Sequence, residues 1–164
     1  MTLSPSSTVL AFDVYGTLID PFHMEEYLQP AFGQRAREAS EMWRGKQLEY
    51  SFRRALMKKY QDFNHCTAQA LRFVCAQLST TLSEETQKDL MSQYLKLPAY
   101  ADVPAALESL AARGFQIVAC SNGTESAVRG LLEYAGVLTR FSAIVSTDRV
   151  RTFKPDPAVY EYLA

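Results

Sequence analysis

The sequence predicts an α/β fold: a Rossmann-like parallel sheet core interrupted by an all-helical insert. Three observations predict it. Short apolar runs at 8–12, 115–121 and 141–146 are separated by helical patterns and short loops, the mark of βαβ units. Residues 22–97, between the first run and the others, carry helical periodicity and no convincing strand. Polar residues gather where the runs end, which is where open parallel sheets bind their ligands.

In chain order, Thr8–Phe12 (TVLAF) is short, continuous and partly β-branched, which predicts a strand buried on both faces. Gly16 supplies the turn that follows. Within 22–97, Met42, Trp43, Leu48, Phe52, Leu56 and Tyr60 recur near a 3.6 period. So do Ala70, Leu71, Val74, Cys75 and Leu78, and then Leu90, Met91, Tyr94 and Leu95. This predicts about four helices, with Thr67 and Ser83 as N-caps. DVPAALESLAARG (102–114) reads as a helix with Asp102 at its start, Pro104 in its first turn and Gly114 past its end. FQIVACS (115–121) is the second strand, and TESAVRGLLEYAG (124–136) a helix stopped by Gly136. FSAIVS (141–146) is the third strand, and KPDPAVYEYLA (154–164) opens a further helix. The expected organisation is core at 1–21, helical cap at 22–97 and core again at 98–164. Three strands are fewer than the roughly five or six of a doubly wound domain. The expectation is a sheet whose C-terminal strands are missing, as in the front part of a longer protein.

Composition narrows the function classes. The 164 residues suit one domain with room for a subdomain, and 48% apolar content argues against disorder. A formal charge of -1 leaves no basic footprint for nucleic acid or an anionic membrane. Cys66, Cys75 and Cys120 form no C-x-x-C pair; an odd, sparse set predicts reduced thiols in a cytoplasmic protein. The opening MTLSPSS is polar and short, so no leader is expected. No run approaches the roughly 20 apolar residues of a membrane span.

The chemistry gathers at three strand ends. The first carries Asp13, Tyr15, Gly16 and Thr17, the second Ser121, Asn122 and Gly123, and the third is followed by Lys154. An aspartate carboxylate can act as a nucleophile. A nearby ammonium would hold it ionised and oriented. Ser121 and Asn122 precede a helix N-terminus, whose backbone N–H groups favour a carboxylate or phosphate. Taken alone, each signal is ordinary. An Asp after a strand is usually a turn residue, Ser-Asn-Gly is common turn chemistry, and a lysine before proline is usually a solvated side chain. What is specific is all three in order, each after a strand, around a helical insert.

FDVYGTL, then SNG after a strand, then KPDP, resembles the first three motifs of the haloacid dehalogenase superfamily. Phosphatases of that superfamily carry a second aspartate two places after the first and use Mg²⁺. Here that place holds Tyr15, which removes the proton carrier and a negative charge and makes the pocket less polar. The stretches MWRGKQLEYSFRRALM (42–57), ALRFVCAQL (70–78) and KPDPAVYE (154–161) are similar to the L-2-haloacid dehalogenase (haloacid dehalogenase type II) family.

The resemblance implies a metal-independent, cofactor-free hydrolase acting on small 2-haloacids and water. Asp13 would displace halide from an L-2-haloalkanoate to give an aspartyl ester, and water would release the D-2-hydroxy acid. Arg44 matches the arginine that receives the halide, Ser121 the residue that binds the substrate carboxylate, and Lys154 the lysine paired with the nucleophile. Thr17 and Asn122 match residues that orient nucleophile and substrate, and Tyr160 a supporting tyrosine. Tyr15 and Gln47 would line the pocket, with Trp43, Leu48 and Phe63 as apolar wall. His23 and His65 match no motif and receive no role. Members of the family are often homodimers, and the cap's apolar helices would allow this. The family's fourth motif follows the segment matching Tyr160, and none of its residues is assigned in 1–164. Two alternatives therefore stay open: a Mg²⁺-dependent phosphatase of the same superfamily, and a non-catalytic binding module.

Overall fold

Three short strands order the molecule. In the computed structural model, which describes residues 4, 5 and 8–164, β1 (Val9–Phe12) runs parallel to β2 (Gln116–Ser121), with Phe12 opposite Ala119. β2 in turn runs parallel to β3 (Ala143–Ser146), with Ser121 opposite Ser146. Most of the MTLSPSS opening lies outside the described residues. The order β1-β2-β3 puts the three carboxyl ends on one rim, so Asp13, Asn122 and Thr147 follow their strands side by side.

The central strand is the buried one. Every residue of β2 after Gln116 is buried, whereas β1 alternates between exposed and half-buried and Val9 is 53% exposed. The expectation that β1 is buried on both faces is therefore corrected. Among the described residues β1 pairs with β2 alone, so its apolar run sits at an edge.

Four helices stand between β1 and the rest of the core: α1 (Met24–Phe32), α2 (Ala36–Leu56), α3 (Phe63–Gln77) and α4 (Glu84–Gln93). The outgoing and returning backbones are stitched together. Asp20 N–H donates to Pro98 O at 3.0 Å, Tyr100 N–H donates to Leu18 O at 3.0 Å, and Ile19 bridges Ala99 in antiparallel fashion. The chain therefore leaves and re-enters the sheet layer at one place. Three more helices, α5 (Val103–Ala112), α6 (Glu125–Tyr134) and α7 (Pro157–Leu163), alternate with β2 and β3 as βαβ units require.

Caps explain where the insert's helices begin. Ser83 Oγ accepts Thr86 N–H at 3.0 Å, as its position predicts. Thr67 is not an N-cap. Asp62 takes that role, its Oδ1 accepting His65 N–H at 2.7 Å, and Thr67 lies buried one turn inside α3. α2 also turns differently from the sequence reading. Its buried face is Ala36, Ala39, Ser40, Trp43, Gln47 and Ser51, while Phe52 is 42% and Leu56 85% exposed. Small side chains let α2 approach α3 closely, so the large apolar residues at 52 and 56 are rotated outward.

A second tie joins insert and core away from the crossing point. Tyr60, in the α2–α3 loop, donates its hydroxyl to Asp148 Oδ1 at 2.7 Å. Its ring packs on Phe153 at 5.1 Å between centroids, and the Arg151 guanidinium lies over it at 4.8 Å. Buried side chains from both layers form one continuous core that includes Val14, Tyr15, Trp43, Phe63, Tyr94, Leu131 and Phe153.

Candidate active site

Asp13 is the first residue past β1. Its Oδ1 accepts Val14 N–H at 2.8 Å and the Lys154 ammonium at 2.5 Å. Among the described residues no bond engages Oδ2. The Asp13 side chain is 46% exposed, so a solute can reach it. Lys154 is held at both ends: its N–H donates to Asn122 Oδ1 at 2.9 Å, and its Nζ donates also to Cys120 O at 2.8 Å. The end of β2 therefore aims a lysine at the end of β1.

The turn after β2 is tight for a steric reason. A Cβ at Gly123 would meet Val128 Cγ2 at 3.0 Å, closer than side-chain carbons normally come. Ser121 Oγ accepts Gly123 N–H at 3.1 Å, and Ser146 Oγ donates to Gly123 O at 2.7 Å. Ser121 is fully buried beneath this turn, while Asn122 reaches the cavity.

The turn after β1 sends its two side chains opposite ways. Gly16, at φ 89°, adopts a conformation that favours glycine, and the N–H groups of Leu18 and Ile19 both donate to Val14 O. Thr17 stays exposed on the outside of this turn. Tyr15 turns inward and is 5% exposed, packed against Phe63 and Tyr94 at 5.9 and 5.8 Å between centroids. Burial raises its phenol well above the ordinary tyrosine value, with Tyr94 adding and the Arg44 charge opposing. Tyr15 therefore keeps its proton and offers no carboxylate-like base.

From the insert, Arg44 reaches this turn. Its Nη2 donates to Tyr15 O at 2.8 Å, two residues from Asp13, and its Nη1 donates to Gln47 Oε1 at 2.7 Å. Gln47 itself is wholly buried and does not line the pocket, because its amide is engaged at both ends within the insert. Trp43 and Phe63, expected as pocket wall, are core residues at 1% and 3% exposure; Trp43 Nε1 donates to Thr67 O at 2.8 Å.

A cavity of about 460 Å³ opens at the strand ends, lined by Asp13, Asn122, Lys154 and Tyr160 together with Leu48, Phe52, Cys120 and Leu163. That volume falls within the roughly 300–1,000 Å³ of small-molecule sites. Four of the expected site residues meet there. Arg44 is not among its lining residues; it lines another cavity, of about 510 Å³, with Phe22 and Ser40. Sequence reasoning missed Cys120 and Phe52 on the wall and Thr67 and Tyr94 behind Arg44. The i, i+3 spacing of Arg44 and Gln47 was a legible signal for one contact of that cluster.

The residues do not fit a divalent cation. The Lys154 ammonium sits against Asp13 Oδ1, and position 15 is a buried tyrosine rather than a second carboxylate. Among the described residues no group of three His, Cys, Asp or Glu side chains converges. What the site can do is present an oriented carboxylate to a small molecule beside a fixed guanidinium.

Comparison with known proteins adds to this geometry. The family model of the haloacid dehalogenase-like hydrolases matches residues 8–164. An (S)-2-haloacid dehalogenase of Pseudomonas sp. (strain YL) is 40% identical over 152 residues, covering 93% of this chain and 66% of that protein. (S)-2-haloacid dehalogenase 2 of Pseudomonas sp. (strain CBS-3) matches at the same identity and coverage. The L-2-haloacid dehalogenase of Xanthobacter autotrophicus, solved with chloropropionic acid covalently bound, superposes with a TM-score of 0.89 at 34% identity. The match covers 94% of this chain and 62% of that one. The chain thus spans somewhat less than two thirds of the length of these relatives.

Proposed function

The chain belongs to the haloacid dehalogenase-like hydrolases, and from that premise we propose that it serves the hydrolytic dehalogenation of short L-2-haloalkanoic acids. The observation that carries this reading is the company of Asp13: a lysine ammonium at 2.5 Å and, two residues on, a buried tyrosine where a phosphatase would need an acid. A relative of the same fold holds chloropropionic acid covalently, which supports the same chemistry here.

Residues 22–97 act as the cap and the remainder as the core. Asp13 Oδ2 attacks the α-carbon as the carbon–halogen bond breaks, giving an aspartyl ester and halide. Lys154 keeps the carboxylate aligned. Arg44 receives the departing halide, since a fixed cation is most effective where charge develops. The turn of Ser121 and Asn122 takes the substrate carboxylate. Thr17 orients the nucleophile turn, and Tyr15 and Gln47 back the pocket from the core side. Tyr160 closes the open side of the cavity. Water then adds to the ester carbonyl, releasing a D-2-hydroxy acid and a proton and restoring Asp13. Configuration inverts once, because the second step leaves the α-carbon untouched. No metal takes part.

No described helix is long and apolar enough to cross a membrane. Cytoplasmic residence belongs to the proposal and is supported by three free thiols at Cys66, Cys75 and Cys120. So does a homodimer, for which the exposed apolar end of α2 at Phe52 and Leu56 offers a face.

The test is halide release from each enantiomer of 2-chloropropionate, with chiral analysis of the product. Release from the L form alone, with D-lactate as product, is the expected result. Equal release from both, or Mg²⁺-stimulated release of phosphate from a phosphomonoester without any halide release, would overturn the reading. A protein that releases no halide and gains no mass at Asp13 would be a binding module.

A further inference from the structure

Gln47 sits on α2 one turn after Arg44, with none of its surface exposed. Its Oε1 accepts Arg44 Nη1 at 2.7 Å and the Tyr94 hydroxyl at 2.9 Å. Its Nε2 donates to Thr67 Oγ1 at 2.6 Å, and Thr67 donates onward to Phe63 O at 2.8 Å. The direction of this chain is forced. Guanidinium is a donor only, so the oxygen of the amide must face it. Turned over, the amide would set its NH₂ against the guanidinium and leave Arg44 Nη1 and the Tyr94 hydroxyl proton without this acceptor. Thr67 blocks that turn, because its own proton is engaged by Phe63 O and its oxygen can only accept. Tyr94 supports the same arrangement: burial raises its phenol above the ordinary value, against the opposing Arg44 charge, so the hydroxyl stays a donor.

The second guanidinium nitrogen is held from the opposite side. Arg44 Nη2 donates to Tyr15 O, within the turn that follows Asp13. The guanidinium is therefore pinned between the interior of the insert and the nucleophile's own backbone. We infer that Gln47, clamped by Thr67 and Tyr94, is a positioning residue that sets the Arg44 guanidinium for the departing halide. This rests on the dehalogenase reading above, in which Arg44 meets the halide, and it moves Gln47 from the pocket wall to the support behind it. A preorganised cation needs no rearrangement when charge appears on the leaving group; a loosened one must be re-ordered at that moment. The help matters more for a poorer leaving group, so chloride should feel its loss more than bromide.

The experiment compares L-2-chloropropionate with L-2-bromopropionate in Gln47→Leu, Gln47→Glu and the unmodified protein. In Gln47→Leu, kcat on the chloro acid falls about tenfold, the scale of a modest misplacement. KM changes little and the bromo-to-chloro rate ratio rises. Gln47→Glu, which keeps acceptor oxygens for Arg44 and Tyr94 but loses the donor to Thr67, moves that ratio part of the way back to the unmodified value. A general loss of structure would lower both rates alike. Should Gln47→Leu fail to fold, Tyr94→Phe removes one of the two donors and shifts the ratio in the same direction by less. Side-chain ¹⁵N NMR of Arg44, assigned with Arg44→Lys, reads the clamp without turnover: guanidinium rotation is restricted in the unmodified protein and freed in Gln47→Leu. An unmodified protein that releases no halide would overturn the catalytic purpose along with the reading it rests on. An unchanged Arg44 signal in Gln47→Leu, or equal losses on both halides, would overturn the clamp and leave that reading standing.

Discussion

The strand-end rim and the interior of the insert contribute to one site by opposite means. At the rim, Asp13 is 46% and Lys154 18% exposed, and the groups that hold them are largely backbone: Val14 N–H and Cys120 O. In the insert, Gln47, Thr67 and Tyr94 are buried and hold one another by side chains drawn from three segments of chain. The difference follows from the two tasks. A nucleophile must be reachable, so its partners lie beneath it and to one side. A cation that meets a leaving group must not move, so it is fixed from behind by a network in which each donor faces an acceptor. An exposed ion pair adds little to folding, whereas a buried network both orients and stabilises. Changes at the rim should therefore remove chemistry and spare the fold.

The largest expected effect is at Asp13. Asp13→Asn removes the attacking oxygen and should lower halide release by at least about 10³-fold, the scale seen when a nucleophile is deleted. It should also abolish the ester adduct in the mass spectrum. Undiminished release would move the nucleophile elsewhere and erase the contrast between rim and insert. Next comes Lys154→Met. Rate should fall by about 10²-fold, because the carboxylate loses the partner that aligns it. Thermal unfolding should register only about 1 kcal/mol, since the pair is open on its Asp13 side and the other loss is the single bond to Cys120 O. A large loss of stability with little loss of rate would make Lys154 a structural tie between the KPDP segment and β2.

Lys154, eight residues past β3, was legible in the sequence because of the KPDP stretch, and Asp13 because it follows an apolar run that marks its place. The parallel sheet was legible for the same reason, as β2 is buried along nearly its whole length. What could not be read was rotation and partnership. The periodicity at Met42, Trp43, Leu48, Phe52, Leu56 and Tyr60 pointed to an apolar face of α2; of these Trp43 does lie on the buried face, but its neighbours there are Ala36, Ala39, Ser40, Gln47 and Ser51. Small and polar residues carry no hydrophobic signal, and close approach of α3 is what buries them. Thr67 looked like a cap because a hydroxyl near a helix start usually is one. Its partner Gln47 lies 20 residues away, and Tyr94 lies 47 residues from Gln47. No local pattern joins positions so far apart, and the family resemblance points to Gln47 as pocket lining.

The smallest expected effect tests how dry the insert is compared with the rim. Cys66, on α3, has no exposed surface, and burial pushes its thiol from an ordinary value of 9.0 up to about 11, with the charge of Arg54 opposing. At the rim the Cys120 thiol is also raised by burial, with the Lys154 ammonium opposing. A raised value means the folded chain keeps a proton that the unfolded chain gives up. The stability this contributes is complete below about pH 9 and is lost as pH climbs toward 11. Cys66→Ala lacks the thiol, so its stability should depend less on alkaline pH even though a small cavity lowers it overall. Urea unfolding at pH 8 and pH 10 gives the comparison. The advantage of the unmodified protein over Cys66→Ala should shrink by about 1 kcal/mol between the two. An advantage that stays constant would mean the thiol ionises as easily folded as unfolded. Water would then reach the interior that is argued to hold Arg44 still, and the distinction between an open rim and a closed insert would fail at its buried end.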